Sequence, residues 1–157
     1  MEKIYDSSAD TLQHIGHVRK YLKEVNDNLT DRGIKHDRSK LVPPEKELFD
    51  IWTPKLKEME YGSQEYKDSL VNLKPALDNH YAKNSHHPEH YQNGIADMDL
   101  LDIIEMLADW KASTLRTKNG NLRKSIDIAT ERFGISEQLK CLLVNTADRM
   151  EWLASES

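Results

Sequence analysis

Three observations predict an all-α fold, a single-domain bundle of about six helices. Apolar residues recur at steps of three and four along most of the chain, turn-forming residues sit singly or in pairs between those runs, and no segment alternates as a strand does. A chain of 157 residues is the size of one domain and can bury a core of its own.

The first helix is expected from about Asp10, where Leu12, Ile15, Val18, Leu22, Val25 and Leu29 step along one face, to near Gly33. Pro43 and Pro44 before acidic residues mark a second start, and EKELFDIWTPKLKEM continues it with a kink at Pro54. Ser63 is the candidate cap of a third helix that carries Tyr66, Leu70, Leu73, Leu77 and Tyr81 and bends at Pro75. The stretch SHHPEHYQNGIAD is loop by composition. Asp97 or Asp99 opens a fourth helix reaching about Arg116, a fifth runs from about Leu122 to Phe133 and stops at Gly134, and Ser136 caps the last. Its stripe of Leu139, Leu142, Leu143, Met150 and Leu153 is expected to pack on the core or on a second copy in a homo-oligomer. Trp52, Trp110 and Trp152 are expected in the core.

Composition narrows the function. A charged fraction of 31% and a net charge of -5 describe an ordinary acidic protein, without the basic surplus that draws a long nucleic acid. A nucleotide in a local pocket stays open. The lone Cys141 excludes an internal disulfide and fits a reducing compartment; within a helical apolar run it reads as a buried thiol. The start lacks the layout of a secretory signal, and no stretch approaches the roughly 20 apolar residues of a membrane span. A cytoplasmic protein with no membrane partner is expected.

Six of the seven histidines fall into three groups: His14, then His36 beside Asp37, then His80 with His86, His87 and His90. Imidazole nitrogen with an adjacent carboxylate oxygen suits a divalent transition metal, with Mn, Fe, Co, Ni and Zn all open. At 100° per residue His14 lies on the edge of the first helix's apolar stripe, whereas His17 points away, so His14 is preferred and His17 is its alternative. On the fourth helix Asp102, Glu105 and Asp109 share a face. Asp102 reads as solvated, and Glu105 reads equally as solvated or as a group that orients a ligand. Asp109 lies beside Trp110, late in a helix where the macrodipole disfavours a carboxylate, and so points to a compensating cation.

A helix-borne histidine, an adjacent His-Asp pair, further histidines and a later aspartate, in that order, resemble the HD-domain superfamily of metal-dependent phosphohydrolases. The segments HDRSKL, NHYAKNSHHPEHY and EMLADWKAS, within roughly residues 10 to 117, look closer still to an uncharacterised family of phage and bacterial proteins. The loop HHPEHYQNG also resembles the cyclic-dinucleotide phosphodiesterase branch, but it lacks the Gly-Tyr-Pro that completes that signature, so the substrate is not carried over.

The resemblance implies an HD-like bundle with the metal site between helices, in a host cytoplasm if the protein is phage-encoded. It implies that His14, His36, Asp37 and Asp109 hold one metal, with Asp37 bridging to a second that His80, His86 and His87 complete and His90 the weakest member. If the loop histidines are not ligands, the site is mononuclear and the loop is a substrate lid with Glu89 as general acid or base. Catalytic Asp37 and a metal-activated hydroxide would then act on the phosphorus of a small phosphorylated substrate, in the first instance a nucleotide. Lys40, three residues past Asp37, would meet the departing phosphate; Arg38, Lys111 and Arg116 are weaker candidates, and Tyr81 and Tyr91 either stack on a base or form the pocket wall. Two alternatives remain: an HD-type di-iron oxygenase, and a non-catalytic metal-containing binding protein.

Overall fold

Among the described residues the chain forms six α-helices and three short 3₁₀ turns, and no strand occurs. The computed structural model describes residues 5–59, 64–116 and 120–153, without the side chains of 57, 66 and 67. Ser63 and the side chain of Tyr66 lie outside the described residues. The chain divides into two compact units, Met1–His36 and Asp37–Ser157.

The first unit is one helix, α1 (Ser8–Lys35), with Asp10 in its first turn and Arg32 and Lys35 in its last, each complementing the macrodipole. Lysine–aspartate pairs four apart, Lys23 with Asp27 and Lys35 with Asp31, add surface support at 2.6 Å each. The helix runs through Gly33, which does not take the left-handed conformation that ends helices at glycine. The expected apolar stripe is there, but Leu12, Ile15, Val18, Leu22 and Val25 are all exposed.

In the second unit α2 (Glu45–Glu58) packs on α3 (Gln64–Lys83), and both helices continue through their internal prolines, Pro54 and Pro75. The main core joins α4 (Leu100–Thr114), α5 (Leu122–Phe133) and α6 (Glu137–Arg149) through Ile103, Met106, Leu107, Leu122, Ile126, Leu143 and Ala147. Each such large apolar side chain contributes about 1.5–3 kcal/mol by leaving water. Caps set the boundaries: the Asp99 carboxylate accepts from the Leu101 and Asp102 amides, Asn121 caps α5, and Ser136 caps α6. Gly134, at φ 63, ends α5 in the left-handed conformation that costs glycine little.

Cys141 and Asp102 depart from expectation, and two residues of the α6 stripe do not reach the core. Cys141 is exposed, because the buried face of α6 runs through Leu139, Leu143 and Ala147, and a residue two positions from Leu139 turns some 200° away. Leu142 and Met150, the residue that follows α6, are also exposed, whereas Leu139 and Leu153 do pack on the core. Asp102 is not solvated but 2% exposed. Trp110 and Trp152 pack against the core half-buried, and Trp52 is half-buried with Lys55 Nζ 4.4 Å from its ring centroid. No helix among the described residues is long and apolar enough to cross a membrane.

Candidate metal centre

Asp37 opens the second unit at φ 56, ψ 14, a left-handed conformation that aspartate tolerates better than most residues and that recurs at functional sites. The chain leaves it into a 3₁₀ turn (Arg38–Leu41) that folds Lys40 back, so that Lys40 Nζ donates to Asp37 Oδ2 at 2.6 Å. His80 arrives on the last turn of α3, followed by the loop that carries His86 and His87.

That loop is pinned from below by Asp102. Its carboxylate accepts from Ser85 Oγ at 2.6 Å, from Tyr91 OH at 2.6 Å and from the Asp99 amide at 3.2 Å. The two hydroxyls bracket His86 and His87, and helix α4 thereby fixes where those rings stand. Burial first, and then the bond to Asp102, push the Tyr91 hydroxyl up to about 12. Two 3₁₀ turns, Pro88–His90 and Gly94–Asp97, give the predicted loop an order of its own.

Asp37, His80, His86 and His87 each offer one ligand atom, and the four atoms lie within 4.8 Å of one another. His80 Nε2 is 2.9 Å from His87 Nε2 and 3.2 Å from Asp37 Oδ1, and His86 Nε2 is 3.6 Å from the same oxygen. Four ligands at about 2.1 Å from a tetrahedral ion stand about 3.4 Å from one another, so these separations fit a metal of zinc size. Asp37 and Asp109 also present carboxylate oxygens within 4.8 Å of each other. His80 and His86 are 1% and 2% exposed. His87 is pushed down to about 3, by burial first and then by the neighbouring His86 and His80, so its imidazole is neutral, the form in which it binds metals.

Behind the rings stand two more carboxylates. Glu45, fully buried in the first turn of α2, approaches His80 Nδ1 with Oε2 at 3.0 Å and also accepts from Ser39 Oγ and Asn79 Nδ2. Glu105 Oε1 lies 3.1 Å from His86 Nδ1. For Glu105 the contact favours the second of its two sequence readings, a group that orients a ligand over a solvated acid; Glu45, Ser39 and Asn84 are not found from sequence, because nothing in their local sequence sets them apart.

Of the other expected site residues, His14 and His17 are exposed on α1, and His36 is the residue that follows that helix. His90 is exposed and turns its Nδ1 to the Tyr81 carbonyl at 2.7 Å. Glu89 accepts from Arg132 Nη2 at 2.6 Å, which directs its carboxylate toward α5. Lys111 Nζ donates to the Trp152 carbonyl at 2.6 Å, Arg38 and Arg116 are exposed, and the Tyr91 hydroxyl is engaged by Asp102.

Residues 3–155 match the model of a family of unknown function, DUF5662. No curated protein and no solved structure matches the chain.

Proposed function

Since the chain belongs to DUF5662, a family of unknown function, its activity has to be argued from its own residues, and we propose that it is a divalent-metal-dependent phosphohydrolase acting on a small phosphate ester, with nucleotides the first class to test. The observation that carries this reading is the convergence of Asp37, His80, His86 and His87 within 4.8 Å. Three imidazole nitrogens and a carboxylate oxygen are a donor set for manganese, iron, cobalt, nickel or zinc rather than for magnesium or calcium. Such a metal, when bound, supplies the Lewis acidity that makes water nucleophilic near neutral pH.

The chain's own residues do the rest. Asp37 divides its carboxylate, with Oδ1 facing the imidazoles and Oδ2 receiving Lys40. The Lys40 side chain is about a third exposed, at 32%, so exchanging its carboxylate partner for a phosphate oxygen costs little and brings a positive charge to where the leaving phosphate gathers negative charge. Glu89, tied to Arg132, is a poorer candidate for proton transfer than it was on sequence alone.

Metal analysis of the purified protein and a phosphate-release screen over nucleotides and phosphodiesters with Mn²⁺ or Co²⁺ test the proposal. The protein should retain a transition metal and hydrolyse some member of the panel, and Asp37→Ala should lose both properties. Wild-type protein that holds no metal, and releases no phosphate in either ion, refutes it.

A further inference from the structure

The hydrogen-bond donors around His80 determine which of its ring nitrogens faces the centre. Asn84 Nδ2 has two hydrogens, and the shortest contacts take both, Ser39 Oγ at 2.9 Å and the His80 carbonyl at 2.7 Å, so its 3.0 Å approach to His80 Nδ1 brings that nitrogen no hydrogen. The Ser39 hydroxyl has one hydrogen, directed to Glu45 Oε2 at 2.9 Å. Asn79 Nδ2 donates to the other Glu45 oxygen at 2.6 Å. The Glu45 carboxylate accepts from Ser39 and Asn79, and with both neighbouring donors' hydrogens so directed, its 3.0 Å contact with His80 Nδ1 places the imidazole hydrogen on Nδ1. His86 follows the same rule, with Nδ1 3.1 Å from Glu105 Oε1.

Both rings then turn the Nε2 lone pair inward. There the lone pairs meet Asp37 Oδ1 at 3.2 Å and 3.6 Å. The two Nε2 lone pairs and the Asp37 oxygen are all electron-rich, and a cation among them turns their mutual repulsion into attraction.

We propose that Glu45 and Glu105 are the positioning residues of this centre, holding His80 and His86 as Nδ1–H tautomers so that both Nε2 atoms, with Asp37 Oδ1, ligate one transition-metal ion. This rests on the metal-site reading above and goes beyond it, because it fixes the tautomers and names two residues that do not touch the metal. A carboxylate behind each ring holds its orientation and raises its basicity.

Two measurements on the full-length protein test the assignment. In metal-free wild type at neutral pH, long-range ¹H–¹⁵N correlation of the histidine rings should find His80 and His86 neutral with the hydrogen on Nδ1. Titration with Co²⁺, followed by its visible absorption, should then find Glu45→Gln and Glu105→Gln each about 10–100-fold weaker than wild type. Glu45 is fully buried while the Glu105 side chain is 13% exposed, so Glu105→Gln keeps the test alive should Glu45→Gln fail to fold. Nε2–H or doubly protonated rings, or unchanged Co²⁺ affinity in both variants, overturn the positioning role alone. A wild-type protein that binds no Co²⁺ overturns the metal reading on which it rests.

Discussion

Replacing Asp102 by alanine removes the anchor under the histidine loop. Its carboxylate accepts from two hydroxyls at 2.6 Å, those of Ser85 and Tyr91, and from the Asp99 amide at 3.2 Å in a capping box. A hydrogen bond to a charged group contributes about 1.5–3 kcal/mol when its partner cannot reach water. Ser85 and Tyr91 are half-buried and regain some water, which brings each down to about 1 kcal/mol. Loss of half of the helix cap adds about 1 kcal/mol, so urea denaturation of metal-free Asp102→Ala should find a loss of about 3 kcal/mol. Asp102→Asn keeps one acceptor oxygen and should lose about half as much. Because Ser85 and Tyr91 flank His86 and His87, the alanine variant should also bind Co²⁺ more weakly than wild type. A stability loss below about 1 kcal/mol refutes the anchoring. A large stability loss with Co²⁺ affinity unchanged refutes its link to the site.

Tyr91 supplies a pH test of the same contact. Its hydroxyl is raised to about 12 in the folded chain against about 10 for an unfolded tyrosine, so the unfolded state loses its proton first as the pH rises. That contribution to stability is intact below about pH 10 and lost between about pH 10 and 12, and alkaline urea denaturation should find the slope absent in Tyr91→Phe. His90→Ala should leave Co²⁺ affinity unchanged, since the ring is exposed and held by the Tyr81 carbonyl, whereas His87→Ala should weaken it at least about tenfold. Met106→Ala, at a side chain only 1% exposed in the core, should cost about 2–5 kcal/mol in thermal or urea unfolding.

The helices of the second unit were legible where a side chain announces the boundary. Asp99, Gly134 and Ser136 act through bonds or dihedrals within a few residues of themselves, so a local reading finds them. Gly33 misled because a glycine late in a helix is a stop only if it takes a positive φ, and composition does not say whether it does. Periodicity assigned Asp102 to the right face of α4 but could not say what lies on that face. Ser85 and Tyr91 come from 17 and 11 residues away to bury it. Cys141 failed on a finer scale: two residues along a helix reverse the direction of a side chain, while a count of apolar neighbours stays the same.

The sequence offers candidate donors for the site but not what orients them. Histidines stand out because they are few, and the loop after α3 concentrates them, so His80, His86 and His87 are visible as a group that Asp37 could bridge to, while the choice between ligands and a substrate lid stays open on sequence. Glu45 was invisible for the opposite reason. An acid in the first turn of a helix is ordinary, explained by the macrodipole without any further role. Only the packing of α2 on α3 carries it, across 35 residues, to His80, and only its complete burial separates it from the acids of the same turn. A carboxylate desolvated to that degree is costly unless donors surround it. Ser39, Asn79 and His80 are those donors, and the histidine among them is the one that points its other nitrogen at Asp37. The burial of Glu45 therefore serves the ring, and a substitution that merely filled its volume would leave His80 free to take the other tautomer.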